Sequence, residues 1–520
     1  MQHPQGRRRQ EASALFEKYA RGKGGRFFEK LPQEGLQPAY RGSTFAEQKR
    51  LAMRGGLVLN LFILYMWTIR VKKFAEKNAN FVEPIRKKYE LATIDMHILK
   101  IIHGYPPLYN AGSEVYSQSV CNEFSKIHKV SVFTREENLY ARDFTIRKEQ
   151  RSDNLCLYIV NNPQGKDGYR HKQMDDAFGY LVDEIKPDIA YIGHLNHLST
   201  GIIDELCSRH IPIVFMLHDY WLMCPRGQFL TRSIGRENNF MVCEGQEDAK
   251  CACTCYSPYF SGIEGDNADA LAWTDWVTRR MKETRSIIDK VNLFIAPARY
   301  LRDRFVKGFG IPEDKIIYLD SGFPLDYLKK VSERNDPQRP FTFGYIGTHI
   351  PAKGVNMLID AFERIKSPAE LYIFGRDNGQ STAALKKKAA LSKNPISFHG
   401  EYMNNELVDK VFRNIDCIVV PSIWAENSPL VIHEAQECGI PVITADYGGM
   451  IEYVHHHENG LIFKHRNTDS LYEQMLWAIE HPAEMKILGE RGYLYSADHH
   501  VPNVHDHCKT LIKLFENELR

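Results

Sequence analysis

The chain has 520 residues, 43% of them hydrophobic and 25% charged, an ordinary globular composition long enough for roughly two to four domains. A net charge of +2 gives no global electrostatic reason to bind nucleic acid, and no such partner is expected. No apolar h-region follows a short basic start, so no secretory signal peptide is expected; eleven cysteines without a disulfide-like framework fit a reducing, cytoplasmic setting.

Residues 1–93 differ from the rest. The basic, glycine-rich start (Arg7-Arg8-Arg9, then Arg21 to Arg26) reads as partly disordered. Leu57 to Ile69 is apolar apart from Asn60 and Thr68, and is flanked by Arg54, Arg70, Lys72 and Lys73. As a helix its thirteen residues reach roughly 20 Å, short of the ~30 Å hydrocarbon core of a bilayer. It reads either as a helix packed on the body or on another chain, or as an interfacial helix making a peripheral membrane contact through Leu57–Ile69, with Tyr65, Trp67 and the basic flank at the surface.

From Met96 strands and helices alternate. Strands are expected at 97–103, 129–134, 154–160, 188–192, 212–217, 293–296 and 315–319, with helices at 113–127, 172–185, 200–209, 268–290 and 299–307 between them. Ser321 to Pro340 is polar and carries Pro324, Pro337 and Pro340. A second series follows: strands 341–346, 371–374, 396–399, 417–420, 442–444 and 460–463, helices 355–365, 383–391, 405–414, 429–438 and 470–479, and two terminal helices, 483–495 and 504–519. Such alternation implies parallel, doubly wound sheets. The expected layout is an extension (1–93), a first Rossmann-like domain (94–325) with a cysteine-rich insert (224–260), a linker (326–340), a second Rossmann-like domain (341–500), and a last helix (501–520) returning to the first domain. Two facing sheets imply a cleft with ligands at the carboxyl ends of the strands.

Four pieces fall at such strand ends. In Trp424 to Glu434, Ser428-Pro429 reads as a helix start, a serine cap followed by a proline whose missing N–H costs nothing. A strand, a loop and a helix N-terminus make an anion site, and Glu426 and Glu434 on its two sides could hold hydroxyls, such as those of two sugars flanking a diphosphate. The second piece is Gly347 to Gly354, a glycine loop carrying Lys353. The third is His218-Asp219-Tyr220-Trp221, and the fourth is the loop Pro106-Pro107 to Gly112, where glycine lets the backbone approach a phosphate. Each piece alone also has a purely structural explanation.

Together they resemble a family 4 retaining glycosyltransferase of the GT-B fold. The resemblance rests on Glu426-x7-Glu434, Asn427-Ser428-Pro429-Leu430, Lys353-Gly354, Gly448-Gly449, Asn459-Gly460-Leu461, the proline–glycine loop and His218-Asp219, and it covers residues 97 to 520. It implies a nucleotide-sugar donor and no catalytic metal. Glu434 would bind ribose hydroxyls, and Glu426 and His218 would contact the donor sugar. Backbone N–H groups around Asn427, Ser428, Pro429 and Leu430 would hold the diphosphate, with Gly347 and Gly112 close by and Lys353 neutralising it. Thr348 stands where the family usually has a second basic residue, and Arg376 is the candidate substitute. Ala111 replaces the first glycine of a frequent pair. The implied reaction moves a sugar to a glycan or lipid-linked acceptor. The alternatives are an inactive GT-B glycan- or partner-binding protein and a sugar synthase of the same fold.

Five cysteines crowd one irregular stretch: Cys224, Cys243, Cys251, Cys253 and Cys255. Four thiolates would make a structural zinc site, with Cys224, Cys243, Cys251 and Cys255 as ligands and Cys253 as the spare or alternative. Free or disulfide-bonded cysteines, or an iron–sulfur cluster, remain open. The runs His455-His456-His457 and His499-His500 read as solvated side chains.

Overall fold

The computed structural model describes residues 95–162, 168–231, 240–256, 270–331 and 338–520. All that follows concerns the unit Ile94–Arg520. The expected N-terminal extension, Leu57–Ile69 included, lies outside the described residues.

Two sheets organise this unit. The first contains β1 (His97–Ile101), β2 (Lys129–Glu136), β3 (Ile146–Ser152), β4 (Leu155–Asn161), β5 (Ile189–Ile192), β6 (Ile213–Met216), β9 (Leu293–Ala296) and β10 (Ile316–Tyr318), in the order β10-β9-β6-β5-β1-β2-β4-β3. The small hairpin of β7 (Leu230–Thr231) and β8 (Met241–Val242) lies in the cysteine insert. The second sheet contains β11 (Phe341–Ile346), β12 (Ala369–Phe374), β13 (Ile396–Gly400), β14 (Cys417–Val420), β15 (Val442–Ala445) and β16 (Gly460–Phe463), in the order β13-β12-β11-β14-β15-β16. All pairings in the two large sheets are parallel except β3 on β4.

The central strands are short apolar runs buried on both faces, such as IVFM in β6 and CIVV in β14. That is the composition a parallel sheet covered by helices requires. The helices α1 (Gly112–Phe124), α2 (Lys172–Ile185), α3 (Gly201–Ser208), α4 (Ala270–Lys290) and α5 (Arg299–Phe309) accompany the first sheet; α6 (Val355–Phe362), α7 (Gln380–Ala389), α8 (Leu430–Glu437), α9 (Thr468–Glu480) and α10 (Pro482–Arg491) accompany the second. The last helix, α11 (Val504–Glu518), packs on α1 and buries Cys508, Leu511 and Phe515 in the core of the first sheet.

Three local expectations are corrected. β3 was not anticipated: its sequence IRKEQRS is almost wholly polar, because it is an edge strand with little buried on either face. The helix expected over 405–414 is a broken run of 3₁₀ and π turns between Asn404 and Asn414. Ser428 does not cap α8. The helix begins at Leu430 after Pro429, the Ser428 N–H is taken by Asn427 Oδ1 at 2.6 Å, and the Ser428 hydroxyl donates instead to Asp320 Oδ1 at 3.2 Å.

Asp320, just past β10, gathers groups from the second sheet's layer. Tyr493 donates to it at 2.8 Å, Tyr453 at 3.3 Å, and His433 Nε2 lies 3.1 Å away. Burial pushes the Asp320 carboxyl up, but His433 and the hydrogen bonds outweigh it and hold the group below the usual carboxylate range.

Candidate donor-binding cleft

A cavity of about 360 Å³ opens where the carboxyl ends of the two sheets face each other. The second sheet contributes the loop between β14 and α8. Glu426 is buried there, and its Oε1 receives Lys353 Nζ at 2.6 Å and the Ser422 hydroxyl at 2.6 Å. Lys353 Nζ also lies 5.4 Å from the centre of the Trp424 ring.

Glycine makes this geometry possible. Gly354 is left-handed (φ 71°), and a Cβ there would overlap the carbonyl oxygen of Pro421, so only glycine lets the Lys353 loop approach so closely. On the other side, the Gly449 N–H donates to the Glu426 carbonyl at 2.6 Å, and a Cβ at Gly449 would overlap the Asn427 carbonyl oxygen.

The first sheet contributes His218, two residues beyond β6. Burial, with Lys100 and His194 nearby, drives its imidazole well below its ordinary value, so the ring is neutral near pH 7. Its Nε2 has no hydrogen-bond partner among the described residues. The His218 carbonyl accepts from Asn427 Nδ2, which ties the two sides of the cleft together.

The starts of two helices line this cavity. Ala111, Gly112 and Ser113 open α1, and Leu430 and Val431 open α8. The first N–H groups of a helix have no carbonyl of their own helix to reach, so both starts present donors and positive dipole ends to an anion. Gly112 faces Leu430, whose Cδ1 would lie 3.6 Å from a Cβ placed at Gly112.

The structure thus brings Lys353, Glu426, Asn427, Ser428, Pro429, Leu430, Gly112 and His218 to one cavity. Glu434 does not line it. It stands one helical turn beyond Leu430, near Tyr327 and Tyr402, and burial pushes its carboxyl up to about 7 although one edge of the residue stays open. Gly347 and Thr348 follow β11 and do not line the cavity; the Thr348 carbonyl accepts from the Tyr345 hydroxyl at 3.1 Å. Arg376 lies at the mouth, bonded to Glu401 at 2.9 Å, with Nη2 3.5 Å from the Asn110 carbonyl. The Arg376 side chain therefore reaches the loop that precedes Gly112.

A row of polar side chains that lines the cavity is not legible in the sequence. Glu114 Oε1 lies 3.3 Å from His103 Nε2, the His103 and His194 rings are 4.5 Å apart, and His194 Nε2 lies 3.1 Å from Asp219 Oδ2. Burial raises the Glu114 carboxyl, but hydrogen bonds from His103 and Ser113 more than reverse this and bring it to about 2. A signal was present. His103, His194 and His218 each sit two residues past the end of a parallel strand, β1, β5 and β6, the position from which side chains reach a cleft.

Cys224, Cys243, Cys251 and Cys255 line one small void in the insert, while Cys253 is exposed. Among the described residues no three His, Cys, Asp or Glu side chains are grouped closely enough to hold a metal ion, and no helix is long and apolar enough to cross a membrane.

The family model of Glycosyltransferase Family 4 matches residues 111–327, and that of Glycosyl transferases group 1 matches residues 328–495. An uncharacterized glycosyltransferase of Methanocaldococcus jannaschii is 32% identical over 160 residues, covering 30% of this chain and 43% of that protein. The N,N'-diacetylbacillosaminyl-diphospho-undecaprenol alpha-1,3-N-acetylgalactosaminyltransferase of Campylobacter jejuni is 25% identical over 189 residues, covering 34% of this chain and 48% of that protein. The chain thus spans about half the length, or less, of these two curated relatives. Among solved structures, HepE of Anabaena, in complex with UDP and glucose, superposes with a TM-score of 0.57 at 16% identity, covering 81% of this chain and all of that one. The fold is GT-B, and the two adjoining family matches run through both sheets and the cleft between them: the chain belongs to glycosyltransferase family 4.

Proposed function

We propose that the protein transfers a sugar, with retention of anomeric configuration, from a nucleotide-diphosphate donor to a hydroxyl of a glycan or lipid-linked acceptor. The observation that carries this reading is the meeting of the Lys353–Glu426 pair, the start of α8 and the neutral His218 in one cavity. The donor diphosphate lies against the N–H groups of Leu430 and Val431 and the start of α1. Lys353 turns from Glu426 toward the phosphate as negative charge develops there, while Glu426 and His218 accept or donate hydrogen bonds at the sugar. The bond from the anomeric carbon to the phosphate oxygen breaks and the bond to the acceptor oxygen forms on the same face. The acceptor proton passes to the leaving phosphate oxygen, so no protein base is required. Glu434 receives the ribose hydroxyls in its ionised form, and Arg376 supports the diphosphate from the Gly112 loop.

The name of the Campylobacter relative, which includes a diphospho-undecaprenol substrate, supports a lipid-linked acceptor, and the UDP complex of HepE supports a nucleotide donor. The expected peripheral membrane contact belongs to the same reading, since a lipid-linked acceptor is met at a membrane surface. The test is a thermal-shift panel of nucleoside diphosphates and nucleotide sugars, followed by transfer of labelled sugar to glycan and lipid-diphosphate acceptors. Stabilisation by one nucleotide and transfer lost in Lys353→Ala support the reading. Stabilisation without transfer to any acceptor would point to a binding protein, and no stabilisation would overturn the donor site.

A further inference from the structure

We propose that Cys224, Cys243, Cys251 and Cys255 together hold one zinc-type divalent cation, and that this ion fastens the segment that follows His218-Asp219. Three separate pieces of chain converge on the void these side chains line, which measures about 10 Å³. Cys224 closes the turn after the cleft, its N–H donating to the Tyr220 carbonyl at 2.7 Å. Cys243 follows the hairpin of β7 and β8, its N–H donating to the Phe229 carbonyl at 2.7 Å. Cys251 and Cys255 sit four residues apart on the helical turns from Asp248 to Tyr256, so they share one face. Cys253, between them, is exposed and does not line the void.

The void is at the lower limit for a single water, but it suits a bare cation. Arg226 also lines it, and its Nη1 is buried with no partner among the described residues. A guanidinium beside four neutral thiols gains little, whereas beside a tetrathiolate complex of net charge −2 it is the complementary group. Cys243 Sγ now donates to the Gly245 carbonyl at 3.0 Å, and the four sulfurs do not yet close on a common point. A closed tetrahedral donor set, with sulfurs about 2.3 Å from the ion, would require these side chains to rotate into the void they share. Binding exchanges four S–H protons to solvent for four S–Zn bonds and needs no oxidant.

The consequence reaches the cleft. Asp219 Oδ1 accepts from the Trp221 N–H at 2.7 Å, and the Trp221 carbonyl accepts from buried Arg280 at 2.6 Å. Cys224 lies three residues further on, so an ion there would anchor this turn.

The test is metal analysis of the full chain, grown with zinc and purified under reducing, chelator-free conditions, with release followed on addition of a mercurial thiol reagent. One zinc per chain is expected, released in step with thiol modification, and replaceable by cobalt(II) to give tetrahedral thiolate absorption. Cys253→Ser should keep its zinc and its melting temperature. Cys243→Ser and Cys255→Ser should each lose the ion and melt earlier. A folded wild-type chain without zinc, a disulfide among these cysteines in reduced protein, or iron in place of zinc would each overturn the proposal. None of these readouts depends on sugar transfer, so the proposal can fail while the proposed function stands.

Discussion

Replacing Glu434 with Gln tests the physics of the donor site and the assignment of its ribose contact in one experiment. Burial raises the Glu434 carboxyl from 4.5 to about 7. At roughly 1.4 kcal/mol per pH unit, the folded protein loses up to about 3 kcal/mol relative to the unfolded chain as this carboxyl ionises. The open edge of the side chain argues for less, on the order of 1–3 kcal/mol. Because the folded value is raised, the contribution is present below pH 4.5 and is lost as pH rises through 7. Glu434→Gln has no such term. Urea unfolding from pH 5 to 8 should therefore show the wild type losing stability relative to the variant as pH rises. A donor hydroxyl reverses the balance, since it hydrogen-bonds best to the ionised carboxylate. Nucleoside-diphosphate binding to the wild type should tighten by up to about tenfold per pH unit below 7 and level off above it. Binding to the Gln variant should be weaker and lack this dependence. Parallel stabilities across the whole range would refute the buried-carboxyl argument, and equal, pH-independent affinities would remove Glu434 from the donor site.

Three further outcomes are expected. Lys353→Ala strips buried Glu426 of its cationic partner, leaving the Ser422 hydroxyl at 2.6 Å, and should cost about 1–3 kcal/mol by chemical denaturation. Its transfer rate should fall at least ~100-fold, and a near-normal rate would exclude a phosphate role. Gly449→Ala forces a Cβ into the Asn427 carbonyl and should cost about 1–3 kcal/mol while displacing Glu426 and Asn427; unchanged nucleotide affinity by calorimetry would count against the glycine argument. Asp320→Ala leaves His433, Tyr453, Tyr493 and Ser428 without their shared acceptor and should destabilise by about 3–5 kcal/mol at pH 7. Because the Asp320 carboxyl is held low, the difference from wild type should shrink as pH falls through its folded value, which an acid titration of unfolding would show.

The alternation of apolar runs and amphipathic helices made the two parallel sheets legible, because strands buried on both faces have little compositional freedom. The edge strand Ile146–Ser152 was not legible, since nothing buries it and its sequence carries no apolar rhythm. At the site, Glu426, Lys353 and the Asn427 to Leu430 turn could be read because each lies in a compact local pattern. Glu114, His103, His194 and Asp219 could not be read as a set, because four separate segments supply them and only the sheet order brings the segments together. Ser428 misled for a different reason. Its position satisfies the rule for a helix cap, but its hydroxyl donates to Asp320 instead of accepting from an N–H in the first turn of the helix.

The Asp320 junction limits how this molecule can be recombined. A chimera that exchanged only the donor-side half, cut in the polar stretch after residue 320, would bring His433, Tyr453 and Tyr493 to a foreign acceptor and leave the apolar side of Val504–Glu518 on a core it does not match. A graft that keeps its shape must carry Asp320 and the closing helix along with the donor half, together with the α1 surface on which that helix rests. The exchangeable unit is therefore discontinuous in sequence, and the half built on the second sheet cannot be transplanted here as a single segment.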